Sequence, residues 1–271
     1  MSSEHEFLKN YRLEDYERPS VTTDIAVFMI RRKSEESYRK EPQSSLSVLL
    51  IRRGAHPFKD SWALPGGFLQ KGETIEECAC REICEETNVR PAAIKLVDIF
   101  SEPDRDPRGW ILSAAFVSIL SEGTAEELGG DDAAEAQWFD VHFEQTDDGL
   151  YHLCLTHDMT HIHAVLKKLP AHLGKDVFRI AESGGLAFDH ARIIAGALSA
   201  LRSEAGNFGA IFDFLPEKFT LTQLQRVQET IMNISVLPAN FRRKAAEYVE
   251  ETEEYTSGAG HRPAKLFRKK Q

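Results

Sequence analysis

Glu82, Glu85 and Glu86 stand at i, i+3 and i+4 in one apparent helix, so three carboxylates share a face within a single turn. Like charges at this spacing repel and weaken the helix. A divalent cation with oxygen ligands removes that penalty. Mg²⁺, or Mn²⁺ in its place, suits carboxylates joined by substrate phosphates. Arg81 lies beside the acids and is placed to pair with Glu73 and orient the cluster. Upstream, Gly66 and Gly67 let the backbone approach closely and leave carbonyl oxygens free for a metal or ligand. Taken alone, three glutamates describe a solvated acidic face as well as they describe a metal site.

Several elements would position this cluster. Residues 21–30 and 47–53 read as strands, with a polar loop between them. A helix runs from about Thr74 to Thr87, and Ile75, Ala79 and Ile83 form the apolar stripe that anchors it on a sheet. Strand-like runs recur at 94–100, 111–120 and 136–140. A helix over 188–204 follows, with Ile193, Ile194, Ala197, Leu198 and Leu201 at helical spacing. This order gives an α+β or layered α/β/α domain ending near residue 170.

The full run, Gly67-x5-Glu73-x7-Arg81-Glu82-Ile83-x-Glu85-Glu86-x-Asn88-Val89, resembles the Nudix box, the signature of the Nudix hydrolase superfamily. It departs at one position, where Asn88 replaces the usual glycine. Asparagine tolerates the left-handed conformation, so the helix is expected to end there. The resemblance implies an α/β/α sandwich around a mixed sheet. It also implies Mg²⁺ ligands at Glu82, Glu85, Glu86 and the Gly67 carbonyl, and a supporting Glu73–Arg81 pair. The implied reaction is attack of water on one phosphorus of a diphosphate. The general base is expected from a loop outside the box, with Glu126, Glu127, Asp131, Asp132 and Glu135 as candidates.

Arg105 and Arg108, in the segment joining two strands, could grip phosphate or ribose, as could Arg52 and Arg53. Trp62 or Trp110 could stack on a base. The segments WALPGGF, DPRGW and GGDDAAEAQWF resemble Nudix proteins associated with ADP-ribose. That resemblance implies cleavage of ADP-ribose to AMP and ribose 5-phosphate.

The C-terminal stretch carries a different charge. Residues 217–271 hold 10 Lys+Arg against 7 Asp+Glu, within a chain of net charge −10. Leu221, Leu224, Val227 and Ile231 follow helical spacing, with Thr220 or Thr222 able to cap. Asn240 is expected to cap a second helix that turns Phe241, Ala245, Tyr248 and Val249 inward. Arg242, Arg243 and Lys244 would then be displayed at its N-terminal end, followed by a hairpin bearing Arg262 and Lys265. This is the layout of a winged helix-turn-helix that contacts double-stranded DNA. LPEKFTLTQLQ, NFRRK and GHRPAKLFR resemble the tail of Nudix-related transcriptional regulators of NAD metabolism. That family implies ADP-ribose sensing, operator binding and a homodimer. Such regulators often carry a degraded box, whereas these acids are intact, so hydrolysis stands first and regulation second.

The expected divisions are an N-terminal extension (1–20), a Nudix domain (21–170), a connecting helical segment (171–213) and a winged-helix domain (214–271). No apolar run approaches the ~18 residues that span a bilayer. The charged N-terminus lacks a signal-peptide core, so a cytoplasmic location is expected. Cys78, Cys80, Cys84 and Cys154 match neither a zinc nor a disulfide pattern and read as small buried apolar residues.

Overall fold

A computed structural model describes residues 4–32, 44–91, 93–120, 136–172, 175–256 and 263–270. A short helix α1 (Glu4–Asn10) precedes β1 (Ser20–Arg32), β2 (Ser44–Arg52), the short strands β3 (Trp62–Ala63) and β4 (Gly66–Phe68), and α2 (Ile75–Thr87). Then come β5 (Ile94–Phe100), β6 (Ile111–Leu120), β7 (Ala136–Gln145), β8 (Tyr151–His157), β9 (Thr160–His172), β10 (Lys175–Glu182) and α3 (His190–Gly206). The chain closes with α4 (Leu221–Met232), α5 (Pro238–Ala245) and the hairpin β11 (Val249–Tyr255) and β12 (Lys265–Lys269).

Period-two alternation on β1 sorts the core into two layers. Ile25, Val27 and Met29 pack with Ala79 and Ile83 of α2. Ala26 and Phe28 face the other way, into the larger cluster that includes Ile194, Ala197, Leu198 and Leu201 of α3. The sheet is mixed and runs in the order β10-β9-β8-β7-β2-β1-β6-β5, with β1 and β6 parallel and the short strands β3 and β4 added to β2 and β1. The fold is therefore α+β, with helices on both faces of a mixed sheet.

The sheet extends past residue 170. β9 and β10 occupy the stretch expected to close the first domain and begin a helical connector, and α3 packs on β10. Their apolar positions alternate with Lys and His, a half-buried pattern that the helix-oriented reading passed over.

The C-terminal unit is a winged helix. Thr220 and Gln223 form a reciprocal capping box at the start of α4, and Asn233 ends it in the left-handed conformation (φ 52°). Leu237, rather than Asn240, is the N-cap of α5, and Pro238 takes the first turn, where its missing N–H costs nothing. Phe241 and Ala245 are buried as expected. Val249 reaches the core from β11, and Tyr248 is partly exposed. Because α5 starts three residues earlier than expected, Arg242, Arg243 and Lys244 occupy its last turn rather than its N-terminal end. Phe219, Leu224, Ile231 and Phe241 belong to the same core cluster as α3. The two units thus share one apolar core.

Cys78 is buried, but Cys80, two residues on, is exposed, and all four cysteines are free. Among the described residues no helix is long and apolar enough to cross a membrane.

Candidate functional site

Helix α2 is held at both ends by its own sequence. Thr74 accepts the Glu77 backbone N–H at 3.2 Å, while the Glu77 carboxylate accepts that of Thr74 at 2.7 Å. At the other end Asn88 adopts φ 57° and donates its N–H to the Cys84 carbonyl, so asparagine does serve as the stop.

The acids of α2 share a face without converging. Arg81 sits among them, 2.8 Å from Glu73, 2.6 Å from Glu82 and 3.3 Å from Glu85. The sequence pointed to the first of these pairs but not to the other two. The guanidinium hydrogen bonds, with the Gln70 N–H, hold Glu73 down at about 2. Glu85 is turned outward, with 60% of its side chain exposed. Glu86 instead accepts the Gly66 N–H at 2.8 Å. Much of the Glu86 residue is exposed, yet its carboxylate is crowded by protein. This withdrawal from water, aided by the nearby charges of Glu82 and Asp24, raises Glu86 to about 7.

At Gly67 a Cβ would stand 2.3 Å from the Glu82 carboxylate, so any larger residue would push that side chain aside. At Gly66 a Cβ would stand 2.0 Å from the Thr23 carbonyl oxygen. Among the described residues no three acidic, histidine or cysteine side chains are already gathered to hold a metal. The donor chemistry still fits a hard divalent cation. Glu82 and Glu86 lie against the two glycines, and the raised pKa of Glu86 reports a charge that a cation would relieve.

Beside the glycines lies a cleft of about 130 Å³, walled by Asp24, Arg53, Phe68, Arg108, Phe188 and His190. Two larger cavities flank α3, away from these acids. Arg108 pairs with Asp106 at 2.7 Å, and its guanidinium lies 5.0 Å from the Phe68 ring and 5.2 Å from the Phe188 ring. Phe188 is held at φ 49°, a strained conformation for a bulky residue, and also carries Arg53 at 4.8 Å. Of the two neighbouring arginines, Arg53 borders the cleft. Arg52 is exposed and bonds the Asp60 carbonyl instead.

Arg105 also lines the cleft, but its guanidinium is engaged by carboxylates of the protein. Its side chain is 3% exposed and makes a two-pronged ion pair with Asp189, at 2.7 and 3.1 Å. It also reaches Asp24 at 3.5 Å. Its role is to fasten the loop before β6 to the start of α3. Asp24 accepts from the Ser113 hydroxyl and lies 3.3 Å from His190 Nε2. Burial opposes its charge, but His190, Ser113 and Arg105 outweigh burial and hold Asp24 below its usual value. The Leu64 N–H donates to His190 Nδ1 at 2.8 Å, which places the ring proton on Nε2, facing Asp24. Breaking a buried pair on one side leaves an uncompensated charge. Arg105→Met should therefore lower unfolding stability by about 3–5 kcal/mol, read by chemical denaturation.

The sequence reading missed Asp24, Phe188, Asp189 and His190. The consecutive run Phe188-Asp189-His190 at a helix start was the available signal. Trp62 packs edge-on against Phe139 at 4.8 Å, and Trp110 is exposed, so neither walls the cleft. Glu126, Glu127, Asp131, Asp132, Glu135 and Arg262 lie outside the described residues.

Residues 23–150 match the NUDIX domain model. An ADP-ribose pyrophosphatase of Methanocaldococcus jannaschii is 41% identical over 135 residues, which cover 50% of this chain and 69% of that protein. The chain belongs to the Nudix family. Residues 211–268 match the NrtR DNA-binding winged helix domain, so this Nudix protein carries its winged unit at the C-terminus. An ADPR responsive transcriptional repressor NtrR of Acinetobacter baylyi is 29% identical over 271 residues, covering 98% of this chain and 88% of its own. A crystal structure of a MutT/nudix family protein from Enterococcus faecalis superposes with a TM-score of 0.72 at 32% identity, covering 99% of this chain and 94% of that one.

Three cations of this Nudix protein's winged unit are held by glutamates, and three on α5 are not. Lys265 pairs with Glu251, Arg268 with Glu250 and Lys218 with Glu254. Arg242, Arg243 and Lys244 are exposed and have no ion-pair partner among the described residues.

Proposed function

We propose that this protein is a DNA-binding regulator whose Nudix cleft takes ADP-ribose, or a closely related nucleoside diphosphate, as its effector. The observation that carries the reading is the path of α3. The helix starts in the cleft at His190 and ends against α4, where Gln228 donates to the Ala205 carbonyl at 2.9 Å and Arg202 to that of Ile231 at 3.0 Å. A ligand that repositions His190 therefore bears on the winged unit through one rigid element. Similarity to a relative named as an ADP-ribose-responsive repressor extends over 98% of the chain, which supports the same reading. Glu82, Glu86 and the Gly67 carbonyl would hold Mg²⁺ or Mn²⁺, with Glu85 joining if Arg81 releases it. Arg53 and Arg108 would meet the ligand's phosphates. The winged unit would place α5 in the major groove, and a homodimer would match a two-fold operator.

Hydrolysis of ADP-ribose to AMP and ribose 5-phosphate is a second reading. It is favoured by the complete set of Glu73, Arg81, Glu82, Glu85 and Glu86 and by the pyrophosphatase relative. A bound divalent cation supplies neutralisation of the phosphate oxygens. The chain's own part is to hold the diphosphate between Arg53, Arg108 and the glycine loop, with Arg81 orienting Glu82.

The test uses the full-length protein and a labelled duplex from immediately upstream of its own gene, followed by fluorescence anisotropy. Binding should weaken as salt rises and be reversed by ADP-ribose with Mg²⁺. A duplex held equally well with saturating ADP-ribose would refute the effector role. Turnover of ADP-ribose without any DNA binding would leave the enzyme reading standing alone.

A further inference from the structure

Away from the Nudix cleft, a cavity of about 710 Å³ lies between the sheet, α3 and the end of α4. Its size suits a drug-sized ligand. One wall is aromatic: Phe143, Tyr151 and Phe178 stand with ring centroids 5.3 to 5.7 Å apart. The guanidinium of Arg202 lies over the Phe143 ring at 5.4 Å and lines the same space. Its Nε donates to the Ile231 carbonyl, and among the described residues no carboxylate pairs with it.

The other charged side chains around the cavity are already engaged. Asp176 is paired with Lys168 at 2.6 Å and accepts the Ser199 hydroxyl. Glu204 is paired with Lys95, and Asp98 accepts the Ile99 N–H at 2.9 Å. Arg192 is taken by Glu102. Among the described residues Arg202 has no carboxylate partner, and its burial pushes its pKa down. A half-buried cation without a partner is costly, and an oxyanion on the free edge of the guanidinium would remove that cost.

We propose that this cavity is a second ligand site, for a small organic anion in which a carboxylate or phosphate monoester is carried on a flat aromatic body. The oxyanion meets Arg202, and the ring lies among Phe143, Tyr151 and Phe178. Because Met232 of α4 completes the wall, an occupant touches both the sheet and the winged unit. The site is separate from the glycine loop and does not depend on the effector reading of the Nudix cleft.

The probes are benzoate and phenyl phosphate, with benzylammonium as the ring-bearing cation, titrated calorimetrically into the full-length protein. At least one anion should bind at one site per chain, and the pair identifies which oxyanion is preferred. Benzylammonium should show no binding. Arg202→Gln should weaken the anion about tenfold or more. Gly196→Leu fills the cavity while keeping Arg202. The first carbon of that side chain meets Phe100 and Val97 no closer than 3.8 Å. This variant should abolish binding with its thermal transition retained. Saturating ADP-ribose should not displace the anion. Equal binding of anions and benzylammonium, undiminished binding in either variant, or displacement by ADP-ribose would overturn the proposal. If Arg202→Gln fails to fold, Gly196→Leu decides alone.

Discussion

Replacing Arg242 and Arg243 together by alanine is expected to weaken binding to the upstream duplex at least about 100-fold, with ADP-ribose affinity unchanged. Both side chains lie exposed on the last turn of α5 and have no ion-pair partner among the described residues. Removing them should cost under about 0.5 kcal/mol of stability. Three other cations behave differently. Lys265 and Arg268 of the hairpin, and Lys218 ahead of α4, are each neutralised by a glutamate of β11. A phosphate must displace that glutamate before it gains the cation, so Lys265→Ala should weaken DNA binding far less. Anisotropy titrations of the two variants at one salt concentration compare them directly. Equal losses would show that the hairpin contributes as much as α5 and contradict this ranking.

Glu86→Gln is expected to reduce Mg²⁺-dependent ADP-ribose turnover by about 10³-fold or more, since loss of metal-centred charge stabilisation is worth several kcal/mol. DNA binding should survive, because glutamine keeps an acceptor for the Gly66 N–H. The unliganded protein supplies a further check. Crowding raises Glu86 from an ordinary 4.5 to about 7, so the folded state holds this proton more tightly than the unfolded chain does. Wild type therefore loses that part of its stability as pH climbs from about 4.5 to about 7, and Glu86→Gln does not. Thermal melts in EDTA at pH 5 and pH 8 should show a smaller decline for the variant. Identical declines would mean that Glu86 is not crowded in solution.

How much of this was legible in the sequence varied with the kind of signal. Helix α2 was readable because its cap, apolar stripe and stop residue are all local: Thr74, then Ile75, Ala79 and Ile83, then Asn88. β5 and β6 were likewise marked by runs rich in β-branched and large apolar residues. β8 to β10 were not, because one face of that part of the sheet carries His and Lys, so the alternation is diluted. In the site, the Glu73–Arg81 pair could be read from an arginine set beside the acids and from the resemblance to the Nudix box. The burial of Arg105 did not, because its partners Asp24 and Asp189 lie more than 80 residues away in the chain. The fate of Arg52 and Arg53 shows the same limit. Adjacent residues leave a strand in opposite directions, and only the tertiary path shows which one meets the cleft. The shared core of the two units was hidden too, because each of α3 and α4 reads as an ordinary amphipathic helix.

Everything proposed for the cleft rests on a diphosphate and a divalent cation meeting at Gly66, Gly67, Glu82 and Glu86. Calorimetric titration of the full-length protein with the α,β-methylene analogue of ADP-ribose, in Mg²⁺ and then in EDTA, measures this without interference from turnover. The account predicts one site per chain, with affinity at least about tenfold higher in Mg²⁺, and loss of that difference in Glu86→Gln. Affinity that is the same in Mg²⁺ and EDTA, or no binding in either, would contradict it.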